Sequence, residues 1–258
     1  MNGFLYVDKP AGWTSFDVVA KIRGVVRGII RKQHETRGYC HTEQGKTVDG
    51  HRCRCKVKVG HTGTLDPAAT GLLIICIGKY TKKVPELIKQ DKTYDVELTL
   101  GKESTTADKE GEITESKLGN ALKQPRGNDV NEALKAFVGT IQQTPPIFSA
   151  IKVDGKRAYD LARKGKEIKL EPRTVNIRSI TGASYDYPLV RFTTRVGSGT
   201  YIRSLAVDIG IQLQTGAYMS ELRRTSIGDI DLDQAVSITD ITEEYLHQSL
   251  SRLNLDSD

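Results

Sequence analysis

Three short stretches of the chain place a reactive side chain among residues that would expose it. In the first, Asp66 lies within a run of Gly, Thr and Pro residues, directly before the apolar run 72–77. A loop of this kind can present a carboxylate at the edge of a rigid sheet, where it could take part in catalysis. An Asp-Pro pair is also typical of a plain turn, so composition alone leaves both interpretations open.

The other two stretches contain a tyrosine and an arginine. Tyr94 lies on the apolar side of the alternating run 93–100, which suits either a functional phenol or a core tyrosine with a bonded hydroxyl. Arg203 falls in the first turn of a helix that we expect to begin near Thr200. Cations are unfavourable at the positive end of a helix dipole, so Arg203 either has an acidic partner nearby or is a surface residue.

Short strands and helices must position these residues. Strands are predicted at residues 3–7, 72–77, 93–100, 167–170, 174–180 and 189–196. Helices are predicted at about residues 15–30, 129–138, 158–164 and 200–213. The first helix rests on apolar residues that recur every three to four positions, namely Phe16, Val19, Ile22, Val26 and Ile29.

The order of these elements indicates the fold class. Strands come in runs, and Asp154-Gly155 is a hairpin signal between two short extended segments. Regular alternation of strand and helix is missing from the pattern. The sequence therefore predicts an α+β fold, a mixture of helices with a central mixed, largely antiparallel sheet.

Charge is concentrated in one part of the chain. The 258 residues contain 38 Lys and Arg against 32 Asp and Glu, and 27% are charged, which excludes collagen-like and wholly disordered classes. Residues 21–58 alone hold 11 of the basic residues and only 3 acidic ones. Such a segment is an electrostatic footprint for a polyanion such as nucleic acid, although a solvated charged loop would have the same composition.

Several classes of protein are not indicated by the sequence. The longest apolar run, 72–77, is far shorter than the ~20 residues that span a bilayer, and the N-terminus lacks a signal-peptide pattern, so we expect a cytoplasmic protein without a membrane partner. The four cysteines are then expected to be reduced, with Cys76 in the core. The sequence contains no Rossmann or P-loop pattern, so it does not indicate a nucleotide cofactor.

Residues 31–57 form a polar, basic segment without a clear period, which suggests an inserted loop. The segment contains enough possible ligands for a zinc ion: His34, Cys40, His41, His51, Cys53 and Cys55. Its Cys-x-Cys spacing differs from the usual Cys-x₂-Cys of zinc sites. We therefore favour a basic loop that contacts RNA over a metal site.

Taken together, the stretches resemble bacterial tRNA pseudouridine synthases of the TruB family. Residues 60–73, which read GHTGTLDPAATGLL, are similar to the catalytic-aspartate motif of that family, a long and specific string. Lys9-Pro10 and Lys92-Thr93-Tyr94 are similar to its N-terminal and tyrosine motifs. Residues 146–152, 155–156, 199–203 and 222–224 match further motifs in the same order. The resemblance covers about residues 3–240 apart from the insertion.

The resemblance implies the pseudouridine synthase fold and the isomerisation of uridine to pseudouridine at position 55, in the T arm of tRNA, without a cofactor or a metal. Asp66 would be the nucleophile, which requires an ionised carboxylate. Arg203 would pair with Asp66 and favour that charged form. Tyr94 would stack on the uracil and is a candidate general base for the late proton transfer.

The target uridine must be flipped out of the folded T loop before it can react. By resemblance, His61 takes the vacated stacking position, and Tyr201 and the Leu222 backbone contact the flipped nucleotide. Basic residues of the matching motifs would make phosphate or structural contacts: Lys9, Lys152, Arg223 and Arg224.

The chain departs from the family pattern in three places. Ser104-Thr105-Thr106 before Asp108 replaces the usual Thr-Asp-Thr, and the insertion at 31–57 is extra. Residues 1–240 are expected to form the catalytic domain, and 241–258 a short acidic tail in place of a C-terminal RNA-binding domain. We expect a monomer that acts on the tRNA elbow without an obligatory protein partner. The alternatives are a non-catalytic RNA-binding protein on this scaffold and a guide-RNA-dependent pseudouridine synthase.

Overall fold

The structure is a computed structural model, and it describes residues 1–36, 40–41, 46–47, 57–118, 124–149, 152–153, 156–157 and 170–253. The chain divides into two compact units. The first unit comprises Met1–Lys89 and Asp229–Asp258, and the second comprises Gln90–Gly228. Within the described residues, no helix is both long enough and apolar enough to cross a membrane.

The elements in chain order are as follows. The strands are β1 (Gly3–Lys9), β2 (Cys40–His41), β3 (Lys46–Thr47), β4 (Val59–His61), β5 (Thr70–Ile77), β6 (Lys92–Leu100), β7 (Lys102–Ser104), β8 (Ile113–Glu115), β9 (Gly139–Gln143), β10 (Lys152–Val153), β11 (Lys156–Arg157), β12 (Arg173–Asp186), β13 (Leu189–Val196), β14 (Ala217–Ile227), β15 (Ile230–Asp231) and β16 (Val236–Ser237). The helices are α1 (Ser15–Thr36), α2 (Val84–Ile88), α3 (Gly127–Ala136), α4 (Ile202–Gln212) and α5 (Glu243–Leu253).

The first unit is a mixed sheet with a long helix packed on it. Strand β5 pairs antiparallel with β1 and with β4, while β1 pairs parallel with β16. One side of α1 supplies Ile22, Val26 and Ile29 to a core that also contains Ile75 of β5. Burial of each of these side chains contributes about 1.5–3 kcal/mol to the stability of the fold. This burial fixes α1 against the sheet.

Three expectations for this unit differ from the structure. Helix α1 continues through Thr36, six residues beyond Ile30, because residues 31–33 are good helix formers and Lys32 Nζ lies 2.6 Å from Glu243 Oε2. Phe16 is 66% exposed rather than buried, since it lies on the solvent side of the helix. The segment expected to be an acidic tail contains helix α5, whose Leu246 is fully buried in the same core.

The second unit is built on an antiparallel sheet in the order β14-β6-β13-β12-β9. The alternation predicted for 93–100 is confirmed, because Tyr94, Val96, Leu98 and Leu100 are all buried on one side of β6. Strand β13 has its predicted bounds, and the predicted strand at 174–180 lies within the longer β12. The α+β class with largely antiparallel pairing is therefore confirmed.

Helices and hairpins of the second unit also follow the sequence. Helix α4 lies within the predicted 200–213, and α3 is shifted by two residues from the predicted 129–138. Strands β10 and β11 pair across residues 154–155, as the hairpin signal indicated. The predicted helix at 158–164 and residues 167–169 of the predicted strand lie outside the described residues.

Candidate active site

Asp66 lies in the loop that connects β4 to β5. The loop is anchored at its start by the amide of Thr62, which donates to the Ile74 carbonyl at 3.1 Å. It then turns at Asp66, whose carbonyl accepts from the Ala69 amide at 3.1 Å. Leu65, directly before Asp66, is buried, whereas Asp66 itself is partly exposed. The loop thus presents a carboxylate between two anchored ends.

The start of helix α1 holds this loop from the other side. The Ser15 hydroxyl donates to the Leu65 carbonyl at 3.0 Å and accepts from the Leu65 amide at 2.8 Å. Both backbone groups of Leu65 are therefore paired with one buried side chain. In addition, the Gly12 amide donates to the Pro67 carbonyl at 2.9 Å. The residues on both sides of Asp66 are fixed to the segment that begins α1.

Lys9 is fully buried at the end of β1. Its ammonium donates to the carbonyls of Pro10 at 2.9 Å, Trp13 at 2.6 Å and Pro67 at 3.2 Å. The sequence left a phosphate contact and a structural role open for Lys9. A buried ammonium that spans these three carbonyls favours the structural role, because it ties the Asp66 loop to the segment before α1.

His61 is the last residue of β4, five residues before Asp66. Its Nδ1 accepts from the Gly63 amide at 3.3 Å, which orients the imidazole toward the start of the loop. In the neutral form this contact places the proton on Nε2. The role of His61 in filling the stack left by a flipped base stays a prediction.

Tyr94 lies on β6, an inner strand of the second unit's sheet, and is 7% exposed. On β6 it is paired with Thr194 of β13 on one side and with Arg224 of β14 on the other. Leu222 is paired with Val96, two residues further along β6. Because directly paired residues share a face, Tyr94, Leu222 and Arg224 lie on the same side of the sheet.

The two neighbouring arginines of β14 therefore differ. Arg224 is fully buried on the face of Tyr94. Arg223 is paired with Asp95 on the opposite face and is partly exposed. A phosphate contact from Arg224 would require its burial to be undone, whereas Arg223 is placed where RNA could reach it.

Lys92, the first residue of the Lys92-Thr93-Tyr94 motif, is a buried cation to which the sequence assigned no role of its own. It lies two residues before Tyr94 on the same face of β6 and donates from Nζ to the Gln90 carbonyl at 2.7 Å. Burial, together with the charge of Arg224, lowers the pKa of Lys92 to about 8, whereas the charge of Asp91 opposes the shift. The two cations make the face that carries Tyr94 electropositive.

Tyr201 precedes helix α4 and is held through its backbone. Its amide donates to Gln143 Oε1 at 2.8 Å, and its carbonyl accepts from Gln143 Nε2 at 3.1 Å. Gln143 is 1% exposed at the end of β9. One buried amide thus fixes the residue directly before the helix, and with it the direction in which Arg203 leaves the first turn.

Arg203 is 7% exposed and contacts three groups of the second unit. Nη1 lies 3.4 Å from Asp108 Oδ2 and donates to the Thr106 carbonyl at 3.2 Å, while Nη2 donates to the Phe148 carbonyl at 2.9 Å. An Arg in the first turn of a helix was expected to have an acidic partner nearby, and Asp108 is such a partner. No sequence pattern assigned this role to Asp108. Pairing of Arg203 with Asp66 stays a prediction.

Asp108 is itself held in place. Its Oδ1 accepts from the Thr106 hydroxyl at 2.5 Å and from the Glu110 amide at 3.0 Å. Ala107 lies between Thr106 and Asp108, and its φ of 62° turns the chain there. The Ala107 carbonyl accepts from the Met219 amide at 3.0 Å. The altered Ser-Thr-Thr sequence therefore still forms a fixed loop. We call Thr106, Asp108, Phe148 and Arg203 the arginine clasp.

The remaining sequence candidates are placed as follows. Lys152 lies on the short strand β10. Of the possible zinc ligands, His34 lies in the last turn of α1, Cys40 and His41 form β2, and residues 51, 53 and 55 lie outside the described residues. Within the described part of the chain, no group of three or more His, Cys, Asp or Glu side chains could hold a metal ion. Cys76 is buried in β5, which raises the pKa of its thiol to about 11.

Two family models match consecutive parts of the chain. Residues 51–202 match the N-terminal domain of TruB family pseudouridylate synthases. Residues 203–256 match the tRNA pseudouridylate synthase B C-terminal domain. The first match contains Asp66 and Tyr94, and the second begins at Arg203 and includes helix α5.

Individual proteins are similar over nearly the whole chain. The tRNA pseudouridine synthase B of Parabacteroides distasonis is 40% identical over 249 residues, which cover 96% of this chain and 95% of that protein. That of Bacillus pumilus is 42% identical over 95% of this chain and 72% of its own length. A chain of a solved Cbf5-Nop10-Gar1 complex is 26% identical with a TM-score of 0.64, covering 96% of this chain and 56% of that one. The chain therefore belongs to the TruB family of pseudouridylate synthases.

Proposed function

We propose that this chain isomerises uridine to pseudouridine at position 55, in the T arm of tRNA. The observation that carries the proposal is the identity of about 40%, over nearly the full length, to proteins named tRNA pseudouridine synthase B. The anchored loop around Asp66 supports it, because the sequence that forms this loop lies within the matched N-terminal domain.

The reaction exchanges one bond of the uracil for another. The bond from C1′ of the ribose to N1 of the base breaks, and a bond from C1′ to C5 forms. The proton of C5 is lost and N1 gains one, so no oxidant, reductant or second substrate is needed. We assign Asp66 as the nucleophile and Tyr94 as the group that stacks on the uracil and accepts the late proton.

Arg203 would supply the positive charge that keeps the nucleophile ionised. The arginine clasp supports this role, because the contacts to Asp108 and to the carbonyls of Thr106 and Phe148 fix the plane of the guanidinium. A fixed cation is worth more to a neighbouring carboxylate in a partly desolvated site than a mobile one in water. His61, Tyr201 and Leu222 would hold the flipped nucleotide and fill the gap that it leaves.

The first test is pseudouridine formation on an unmodified tRNA transcript, with purified protein in EDTA and without other components. Product at the T-arm uridine is the expected result. Asp66→Asn should abolish turnover while tRNA binding stays within a few fold, and Asp229→Asn, far along the sequence, serves as a control that should keep full activity. Substantial turnover by Asp66→Asn would remove Asp66 from its role.

A guide-RNA-dependent isomerase is the second candidate. It is favoured by the structural similarity to a chain of an H/ACA RNP solved with a substrate RNA, which has a TM-score of 0.62 and 25% identity. This chain spans only 55% of that one, and it matches the tRNA-directed relatives at higher identity. Turnover of the bare transcript would exclude a need for a guide. Binding without turnover would instead favour the non-catalytic RNA-binding alternative.

A further inference from the structure

Among the described residues, Phe16 has the most exposed of the large apolar side chains. It is 66% exposed in the first turn of α1, whereas Val18, Val19 and Ile22 of the same helix are buried in the core of the first unit. Single exposed apolar residues are common on protein surfaces, so exposure alone assigns no role. The surroundings of the Phe16 ring are what suggest one.

One face of the Phe16 ring is covered by a cation. Arg23 lies about two helical turns further along α1, so both side chains leave the helix on the same side. The guanidinium carbon of Arg23 lies over the ring, 6.0 Å from its centre. Arg23 Nη2 also donates to the Val59 carbonyl at 3.3 Å, which holds the guanidinium in place. The exposed part of the ring is therefore its other face and its edge.

The ring lies beside the strand and the loop that carry the candidate nucleophile. Val59 begins β4, the strand that leads into the Asp66 loop, so Phe16 is on the side of α1 that faces this strand. Ser15 directly precedes Phe16, and its hydroxyl is bonded to both backbone groups of Leu65. Leu65 in turn directly precedes Asp66. The Cα atoms of Phe16 and Asp66 are therefore at most about 15 Å apart.

The neighbours of the ring suit a nucleic acid better than a protein. On this side of α1 the ring is followed by Ala20 and Arg23, so it is not part of a broad apolar patch of the kind that protein interfaces use. Asp17 accepts from the Thr14 amide at 2.9 Å and from the Thr14 hydroxyl at 2.6 Å, which keeps its carboxylate at the start of the helix. A nucleobase needs only one aromatic face to stack on, and its phosphate favours a nearby cation.

We propose that Phe16 stacks on an unpaired base of the T loop, close to the uridine that is isomerised. The inference rests on the proposed function, since it takes the T arm of tRNA as the substrate. Unpaired loop bases are the part of a folded RNA that aromatic side chains recognise by stacking. The base would lie on the face of the ring opposite Arg23. Phe16 would then add affinity and fix the position of the T loop without touching the reacting atoms.

The first experiment compares Phe16→Ala with Ile211→Ala, which removes apolar surface from a residue of α4 that is 53% exposed. Binding of an unmodified tRNA transcript is measured by fluorescence anisotropy between about 50 and 300 mM salt. We expect Phe16→Ala to bind about tenfold more weakly and Ile211→Ala to bind like the wild-type protein. The slope of log K against log salt should be unchanged, because stacking releases no counterions. Equal affinities of the two variants, or a lower slope for Phe16→Ala, would overturn the proposal.

Two further variants separate stacking from a general apolar contact. Phe16→Leu keeps much of the apolar surface but has no aromatic face, so it should bind nearly as weakly as Phe16→Ala. Phe16→Trp offers a larger face and should bind at least as tightly as the wild-type protein. The urea midpoint should be unchanged for all three variants, and kcat at saturating tRNA should stay within about twofold. A leucine variant that binds as tightly as the wild-type protein would contradict stacking, and a large fall in kcat would place Phe16 at the reacting nucleotide instead.

Synthetic hairpins of the T arm identify the stacked base. In a series of such hairpins, one loop nucleotide at a time lacks its base. At one position close to the target uridine, Phe16→Ala and the wild-type protein should bind equally well, because the stacking partner is already missing. A difference of about tenfold that persists at every position would show that Phe16 has no base as its partner.

Failure of the proposed function would be seen separately. A wild-type protein that binds the transcript but forms no pseudouridine would contradict the assigned reaction, whereas the binding of Phe16→Ala could still be compared with that of the wild-type protein. Pseudouridine formation at position 55 together with equal binding by both proteins would contradict only the stacking role of Phe16.

Discussion

The Asp66 loop in the first unit and the arginine clasp in the second are both organised by a buried cation, but in different ways. Lys9 donates to three backbone carbonyls that lie around the loop. Arg203 donates to two carbonyls and also faces the carboxylate of Asp108. An ammonium that holds backbone carbonyls acts as a structural tie. A guanidinium held by a carboxylate and two carbonyls is instead an oriented charge, which is what a reacting group needs.

The largest expected effect is the loss of the structural tie. Lys9→Met keeps the length of the side chain but leaves three partly buried carbonyls without their donor, at a cost of about 1–2 kcal/mol each. We expect the free energy of unfolding to fall by about 4 kcal/mol, measured by urea denaturation. Lys58→Met, at an exposed position outside the sheet, is a control that should change it by less than about 0.5 kcal/mol. An unchanged stability for Lys9→Met would show that the loop is held by other contacts.

Replacing the oriented charge should affect activity more than stability. Arg203→Lys keeps a positive charge but cannot hold Asp108 and the Phe148 carbonyl in one plane, so we expect kcat to fall by at least about a hundredfold, equivalent to about 3 kcal/mol. Single-turnover assays on a tRNA transcript would measure this. Arg178→Lys, at an exposed ion pair with Asp91, is the matched control and should keep its activity. If Arg178→Lys lost as much activity as Arg203→Lys, the loss could not be attributed to the fixed orientation of the Arg203 guanidinium.

Lys92 is a third buried cation, and its surroundings disfavour the charged form of the side chain. Its pKa is lowered from 10.5 to about 8, so the folded state loses the proton of Lys92 more readily than the unfolded state does. Between pH 8 and 10.5 the unfolded chain binds more protons at this position, and this contribution to stability therefore rises with pH. Below pH 8 the full penalty is present.

Lys92→Met should remove this penalty. We expect the variant to be more stable than the wild-type protein at pH 7 by an amount on the order of 2 kcal/mol, with a smaller difference at pH 10. Denaturant unfolding of both proteins at the two pH values measures the difference directly. Deprotonation of Cys76, whose raised pKa acts in the opposite direction, is common to both proteins and cancels. A variant that is less stable at both pH values would show that the ammonium is a stabilising tie, as in Lys9.

Local patterns in the sequence single out the central residues of the candidate site, but only the resemblance to the TruB family assigns their roles, which stay predictions. Tyr94 lies on the strand with the clearest alternation, and Asp66 lies in a loop rich in Gly, Thr and Pro before an apolar run. Their supporting residues could not be identified in this way. The Arg203 to Thr106 hydrogen bond joins residues 97 positions apart, and Gln143 holds Tyr201 across 58 positions. Such pairings depend on the folded sheet and leave no local pattern.

The missed elements have a similar explanation. Strand β14 contains Glu221, Arg223 and Arg224, and two register shifts interrupt its alternation, so its sequence looks polar although Arg224 is fully buried. Helix α1 was expected to end with its last apolar residues, but a helix can continue on polar residues of good helix propensity. Phe16 was assigned to the apolar side because its spacing of three to Val19 fits, yet it lies on the solvent side of α1, whereas Ser15 and Val18 of the same turn are buried.

The smallest expected effect concerns the contact between Ser15 and Leu65, which is a weaker tie than Lys9 on the same loop. Ser15→Ala removes a neutral hydroxyl that serves both backbone groups of Leu65, so we expect a loss of about 1 kcal/mol in unfolding free energy. Because Leu65 directly precedes Asp66, kcat should also fall, by a few fold, while the Kd for tRNA is unchanged. Ser179→Ala on β12 is a control in which neither quantity should move. A change in Kd without a change in kcat would mean that the start of α1 serves RNA binding rather than the position of the nucleophile.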